Sequence, residues 1–149
     1  MIKYSIEKLD KKLSIKHGYA FEGEFFSKTG DYIVLTPGNF LEEGGFYRDK
    51  SKDKYYKNSV PEGYLLSKND LIVAMTEQAE GLLGSCAFVP EDHKYLHNQR
   101  LGLISCHDEF IRKEFLYYLF QNPNVRIQIR RSSSGTKVKH TSPERIYDV

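Results

Sequence analysis

The chain has 149 residues, with 22 Lys/Arg against 20 Asp/Glu, 11 Tyr, 9 Phe and two cysteines. That length makes one domain, which buries roughly 68–70% of the surface its unfolded form exposes and so needs neither metal nor disulfide to fold. Cys86 and Cys106 are too few for the cross-linked framework of a small secreted domain, and predict reduced thiols in a cytosolic protein.

The opening MIKYSIEKLDKKLSIKHG has no apolar core of a signal peptide. No stretch approaches the ~20 apolar residues of a spanning helix, so no membrane partner is expected. Residues 2–16 are polar with spaced Ile and Leu, and fit a strand or a short helix. Tyr32 to Leu35 reads as a strand stopped by Pro37-Gly38. Residues 42–59, rich in Gly, Lys, Asp and Tyr, read as an exposed loop or hairpin excursion. A turn over Ser67–Asp70 leads to a buried strand, Leu71 to Met75; residues 81–90 form another, closed by Pro90. In residues 99–106, Leu101, Leu103 and Ser105 alternate on one face, again strand-like. The period then changes. Ile111, Phe115, Tyr118 and Leu119 have helical spacing over 107–121, with Asp108 as N-cap. Asn122-Pro123 ends that helix and suits the N-cap and first position of a second, although Val125, Ile127 and Ile129 also alternate like a strand. Strands followed by helices after residue 107 predict an α+β domain.

Catalysis has little support. There is no G-x-G-x-x-G turn for a cofactor. Asn122-Pro123-Asn124 lacks the second proline and the aromatic ring of an amino-methyltransferase motif, and that ring is needed to stack on a flipped base. No carboxylate cluster suits a nuclease metal; Glu22 and Glu24 read as a solvated pair. His93 and His97 have an i, i+4 spacing that could serve zinc with a cysteine, but His93 falls in a loop, where such spacing means little. Cys106-His107-Asp108 reads as a compressed triad, yet neighbours on a strand point to opposite faces. No cofactor or metal is expected.

Binding has more support. Residues 121–149 hold six Lys/Arg against two Asp/Glu, and residues 1–120 sixteen against eighteen. A basic end suits an anionic partner. The stretch RRSSSGTKVKHTS, from Arg130, offers the amides, hydroxyls and cations that hold phosphate, through Arg131, Ser133, Ser134, Gly135, Thr136, Lys137 and Lys139. Lys137 and Lys139 flank Val138, which should turn toward the protein and leave both lysines facing phosphate. Aromatic rings beside cations suit stacking on bases: Lys16, His17 and Tyr19 in KHGYAF, and Lys54 and Tyr55 in YRDKSKDKYYK. The plain alternative is a solvated, soluble loop surface.

Several pieces together resemble the target recognition domain of a type I restriction–modification specificity subunit. KHGYAFEGEFFSKTGDYIVLTPGNF looks like that family's Gly-Tyr-Ala-Phe opening, followed by a strand and an "-x-P-x-N-" turn that here holds Asn39. LLSKNDLIVAMTEQAEGLLGSCAFVP resembles its Gly-Asp-(apolar)-Met-Thr strand, and YLHNQRLGLI its Asn-Gln-Arg strand. EFLYYLFQNP resembles the helix that follows, and SSSGTKVKHTSPERIYDV the loop before the family's spacer helix, which would start near residues 143–149. The chain departs from the pattern at Asn69-Asp70 and at Glu77 after Met75-Thr76. The resemblance covers nearly all of residues 1–149 and implies a half-subunit or excised domain.

By this resemblance the chain performs no reaction. It reads half of a split double-stranded DNA target and positions methyltransferase subunits, with restriction subunits in the full complex and possible pairing with a second recognition domain. Thr76, Glu77 and Gln78 would begin a loop that reaches DNA. In Asn98-Gln99-Arg100, Arg100 suits guanine; Asn98 and Gln99 read as ties between strands. At most one of the Tyr19 and Phe21 rings should reach DNA. A generic protein-binding module is the rival reading.

Overall fold

The computed structural model describes residues 1–78 and 80–149. In chain order the elements are β1 (Leu13–His17), β2 (Phe26–Ser27), β3 (Ile33–Val34), β4 (Tyr55–Tyr56), β5 (Leu71–Ala74), β6 (Thr76–Glu77), β7 (Cys86–Phe88), β8 (Tyr95–Leu96), β9 (Leu101–Cys106), α1 (Lys113–Gln121), α2 (Pro123–Arg131), β10 (Lys139–His140) and α3 (Pro143–Tyr147). This is the expected α+β class, with the helices after residue 107. No helix among the described residues is long and apolar enough to cross a membrane.

The centre is an antiparallel sheet in the order β1-β9-β5-β7. Strand β5 is buried on both faces, so LIVA carries no polar residue. Leu71 and Val73 point toward the helices, joining Leu13, Ile15 and Ile104 beneath Leu116, Phe120, Ile129 and Ile146. Ile72 and Ala74 point the other way, with Leu101 and Leu103, against Ile33, Leu35, Phe40 and Tyr95. The period-2 alternation of a strand is thus spent on two cores. The second core lies against a sheet of two-residue strands in the order β2-β4-β3-β8, where β3 and β8 run parallel. Beyond it Phe21, Tyr56, Val34 and Leu96 close a third, aromatic cluster.

The first helix departs from expectation. It begins at Lys113, five residues after Asp108, and its cap is Arg112. Asp108 instead closes a turn, with Oδ1 accepting from Phe110 N at 2.9 Å, and pairs with Lys12 at 3.2 Å. The buried stripe is also rotated: Leu116 and Phe120 are sealed, while Phe115 and Tyr118 are exposed. In a segment as apolar as EFLYYLF, two stripes satisfy helical spacing equally well. Helix α2 forms as its start signals require, with Asn122 Oδ1 accepting from Asn124 N at 2.9 Å and Pro123 first in the helix. The strand expected over 81–90 is only the three residues of β7.

The serine-rich segment closes on itself. Ser134 and His140 exchange both backbone hydrogen bonds at 2.9 Å, and β10 then pairs with β6 in the register Lys139 with Glu77 and His140 with Thr76. Gly135 is required in this turn: its φ is +99°, and a Cβ there would lie 2.0 Å from Val138 O. The carboxyl-terminal segment is thereby seated beside the continuation of the central strand.

Candidate functional site

Three depressions run into one another along one side of the domain. The first, of about 450 Å³, is lined by Thr36, Gly38, Asn39, Tyr47, Lys52 and Lys54 among others. It shares Thr36, Gly38 and Lys54 with the second, of about 590 Å³, which adds Gln78, Leu82, Arg100, Val138 and His140. Thr76, Arg100 and His140 continue into the third, of about 580 Å³, where His17, Gln99 and Thr141 complete the wall. Together they form one groove that crosses the β6–β10 pair.

The wall carrying Gln99 and Arg100 is fixed by backbone. Asn98 Oδ1 accepts from Arg100 N at 3.0 Å, Leu101 N donates to Asn98 O at 3.0 Å, and Gln99 N donates to Tyr19 O at 3.0 Å. This approach needs Gly18, since a Cβ there would lie 1.9 Å from Asn98 O. Asn98 has a structural role, but its side chain closes its own turn and ties no strands. Gln99 departs from expectation: its side chain is exposed on the groove wall instead of tying strands.

The electrostatics are lopsided. Three carboxylates line the groove, and each is occupied. Asp49 accepts from Ser51 Oγ at 2.7 Å and from Ser51 N at 3.0 Å, and these hydrogen bonds, the hydroxyl's first, hold its pKa below the usual carboxylate range. Asp53 pairs with Arg48 at 2.8 Å, and Glu77 with Arg130 at 2.5 Å. By contrast Lys52, Lys54 and Arg100 are exposed and pair with no carboxylate among the described residues. His17 and His140 are exposed on the same walls.

The residues singled out from sequence divide clearly. His17, Lys54, Thr76, Gln78 and Arg100 come together in the groove. Asn39 lies on its wall but has a structural role: Oδ1 accepts from Thr36 N and Nδ2 donates to Tyr47 O, both at 3.0 Å. Glu77 is corrected likewise, being 2% exposed with both carboxylate oxygens engaged inside the protein. Lys16 donates to Gly63 O at 2.8 Å and lies 4.3 Å over the Tyr64 ring, outside the groove lining. Tyr19 packs edge-on against Phe21 at 5.1 Å, and Tyr55 packs against the second core.

Arg131 lines a separate depression with Arg145 and Asp148. Ser133 caps α2, its hydroxyl donating to Arg130 O at 2.5 Å, as Ser132 does to Ile129 O at 3.0 Å. Ser134 is engaged through its backbone, Gly135 makes the turn, and Thr136 and Lys137 are exposed at its tip. Val138 turns inward as expected, but toward the groove. Val138 and His140 line the groove, whereas neither Lys137, in the turn, nor Lys139, in β10, lines any of its three depressions. Sequence reasoning passed over His140, Lys52, Thr36 and Gly38. The alternation Val138/His140 was visible, but its direction depended on the pairing with β6.

The residues considered for catalysis do not converge. Cys106 Sγ donates to Ile111 O at 2.9 Å while the His107 ring turns to Ser14 Oγ at 2.7 Å. His97 Nε2 lies 2.8 Å from Leu101 O in the interior, whereas His93 is exposed. Burial pushes the Cys86 thiol well above its ordinary pKa, which leaves it a poor nucleophile. Among the described residues no three His, Cys, Asp or Glu side chains stand close enough to hold a metal.

No family model matches the chain. It is 27% identical over 140 residues to the type I restriction enzyme EcoBI specificity subunit of Escherichia coli, a match covering 94% of this chain and 27% of that protein. The crystal structure of a type I restriction–modification S subunit from M. genitalium superposes with a TM-score of 0.62 at 15% identity, over 96% of this chain and 32% of that one. A chain from a structure described as the basis of complex assembly and conformational transition of the type I R-M system gives 0.61 at 12%, with the same coverage. The chain therefore spans about a third or less of each relative's length. In sequence and in fold alike, it is similar to one segment of a type I restriction specificity subunit, the family its motifs resemble.

Proposed function

We propose that this chain is a DNA target recognition domain that reads one half of a split duplex target within a type I restriction–modification system. Its work is recognition alone; chemistry on DNA belongs to methyltransferase and restriction subunits that it directs. The observation that carries this reading is the groove, where two of the three lining carboxylates are paired with arginines while Lys52, Lys54 and Arg100 pair with no carboxylate among the described residues and two histidines stand on the same walls. Phosphates supply the sequence-independent part of such binding. Gln78, Gln99 and Arg100 have the donors and acceptors that match base edges.

The test is binding of duplex DNA as a function of salt. Affinity should fall linearly on a double-logarithmic plot, with a negative slope that counts the phosphates engaged. The rival, a module that binds only protein, would use the exposed Phe110, Phe115 and Tyr118. No affinity for duplex at low salt, or affinity indifferent to salt, would favour that rival.

A further inference from the structure

The segment after β6 is gripped from two sides. Glu77 Oε2 accepts from Gly81 N at 3.0 Å and Leu83 N at 2.9 Å, while Oε1 takes Arg130 Nη1 at 2.5 Å. One helical turn earlier on α2, Arg126 donates to the carbonyls of the same two residues, Leu83 at 2.9 Å and Gly81, and to Glu42 O at 2.9 Å. Amides and carbonyls of one short stretch are therefore held by one buried carboxylate and one guanidinium. Gln78, next to Glu77, and Leu82, between the two held residues, line the groove. The same helix runs directly into the serine-rich turn, whose far strand pairs with β6. Glu77 is thus the point where the groove-facing segment, α2 and β10 are tied together.

We propose that Glu77, with Arg126 and Arg130, is a positioning residue that sets Gln78 and Leu82 on the groove wall and thereby determines which bases the domain accepts. This rests on the DNA reading above. A carboxylate that is sealed and triply bonded does not itself touch DNA. Its influence passes through the pose of Gln78, whose amide can pair with a base edge only if its backbone is fixed beforehand. The sign of the effect separates this role from plain electrostatics. Removing a negative charge beside a polyanion by itself strengthens binding to every sequence. Loss of a positioning group weakens binding to the selected sequence only.

The experiment selects duplexes from a randomised library with the full chain, then measures the best duplex and a scrambled one against wild type, Glu77→Gln and Arg126→Lys. Arg126→Lys keeps the charge and loses the fork that spans three carbonyls. Both variants should lower the ratio of selected to scrambled affinity by about ten-fold, the size of one base contact, with scrambled affinity unchanged or raised. A folded variant that keeps the ratio, or that loses both affinities equally, would overturn the proposal. So would unfolding of both variants, which would mean that the whole fold and not the reading segment depends on the knot. A wild-type chain that binds duplex but enriches no sequence would instead defeat the DNA-reading proposal beneath it.

Discussion

His97 is fully buried, with Nε2 on the Leu101 carbonyl at 2.8 Å and Nδ1 without a partner among the described residues. Burial lowers its pKa, opposed in part by the Leu101 hydrogen bond. An unfolded chain takes up a proton near pH 6.5, where the native ring stays neutral, so stability is full above that pH and falls as pH drops below it. The fall is up to ~1.4 kcal/mol per pH unit. Denaturant midpoints of wild type should decline between pH 6.5 and 5.5 by more than those of His97→Gln; parallel declines would remove His97 as the cause. At the groove, Arg100→Ala and Lys54→Ala should each lower the salt slope of duplex binding by roughly 1, with Lys137→Ala and Lys139→Ala having smaller effects because neither lines the groove. Larger effects at the two loop lysines would mean that DNA lies against the opposite face of β10. Residue chemistry singled out Lys54 beside its aromatic neighbours and Arg100 as suited to guanine, and both line the groove. It could not show that the amide of Asn39 and the carboxylate of Glu77 were already satisfied within the protein, since their partners at Tyr47 and Arg130 are set by tertiary contacts.

Among the elements, the strands were legible where the run itself was strongly apolar or alternated: LIVA is buried along its whole length, and LGLISC is buried or half-buried along most of it. The two-residue strands β2, β4, β6 and β10 carry no period of their own, because two residues cannot display one, and they exist through pairing with distant segments. The serine-rich stretch reads as an exposed loop for that reason, although Ser132 and Ser133 close the end of α2 and Ser134 pairs with His140 across a turn. Helix α1 shows the other limit, in which a nearly all-apolar segment leaves its buried face to be chosen by the core. Truncation tests that choice. Leu116→Ala should cost ~2–5 kcal/mol and Phe120→Ala ~3–5 kcal/mol of stability, whereas Phe115→Ala and Tyr118→Ala should stay within about 0.5 kcal/mol. Chemical denaturation of the four variants measures this, and a reversed order would place the other stripe in the core.

Across the whole molecule, the helical layer, the central sheet and the small sheet do different work. The helices and the central sheet form the larger core, and the two sheets clamp the second. Turns from all three layers then meet along one groove: residues 36–39 and 52–54 from the small sheet, 99–100 from the link between the sheets, and 138–140 after α2. Reading by turns on a fixed scaffold allows the target to change while the cores are retained. The likeness to specificity subunits extends along nearly the whole chain but over about a third or less of each relative. The most direct measurement is a map of methylated sites in the host genome with and without this gene. The account predicts that one set of sites, sharing a split motif, loses methylation when the gene is removed; an unchanged map would contradict it.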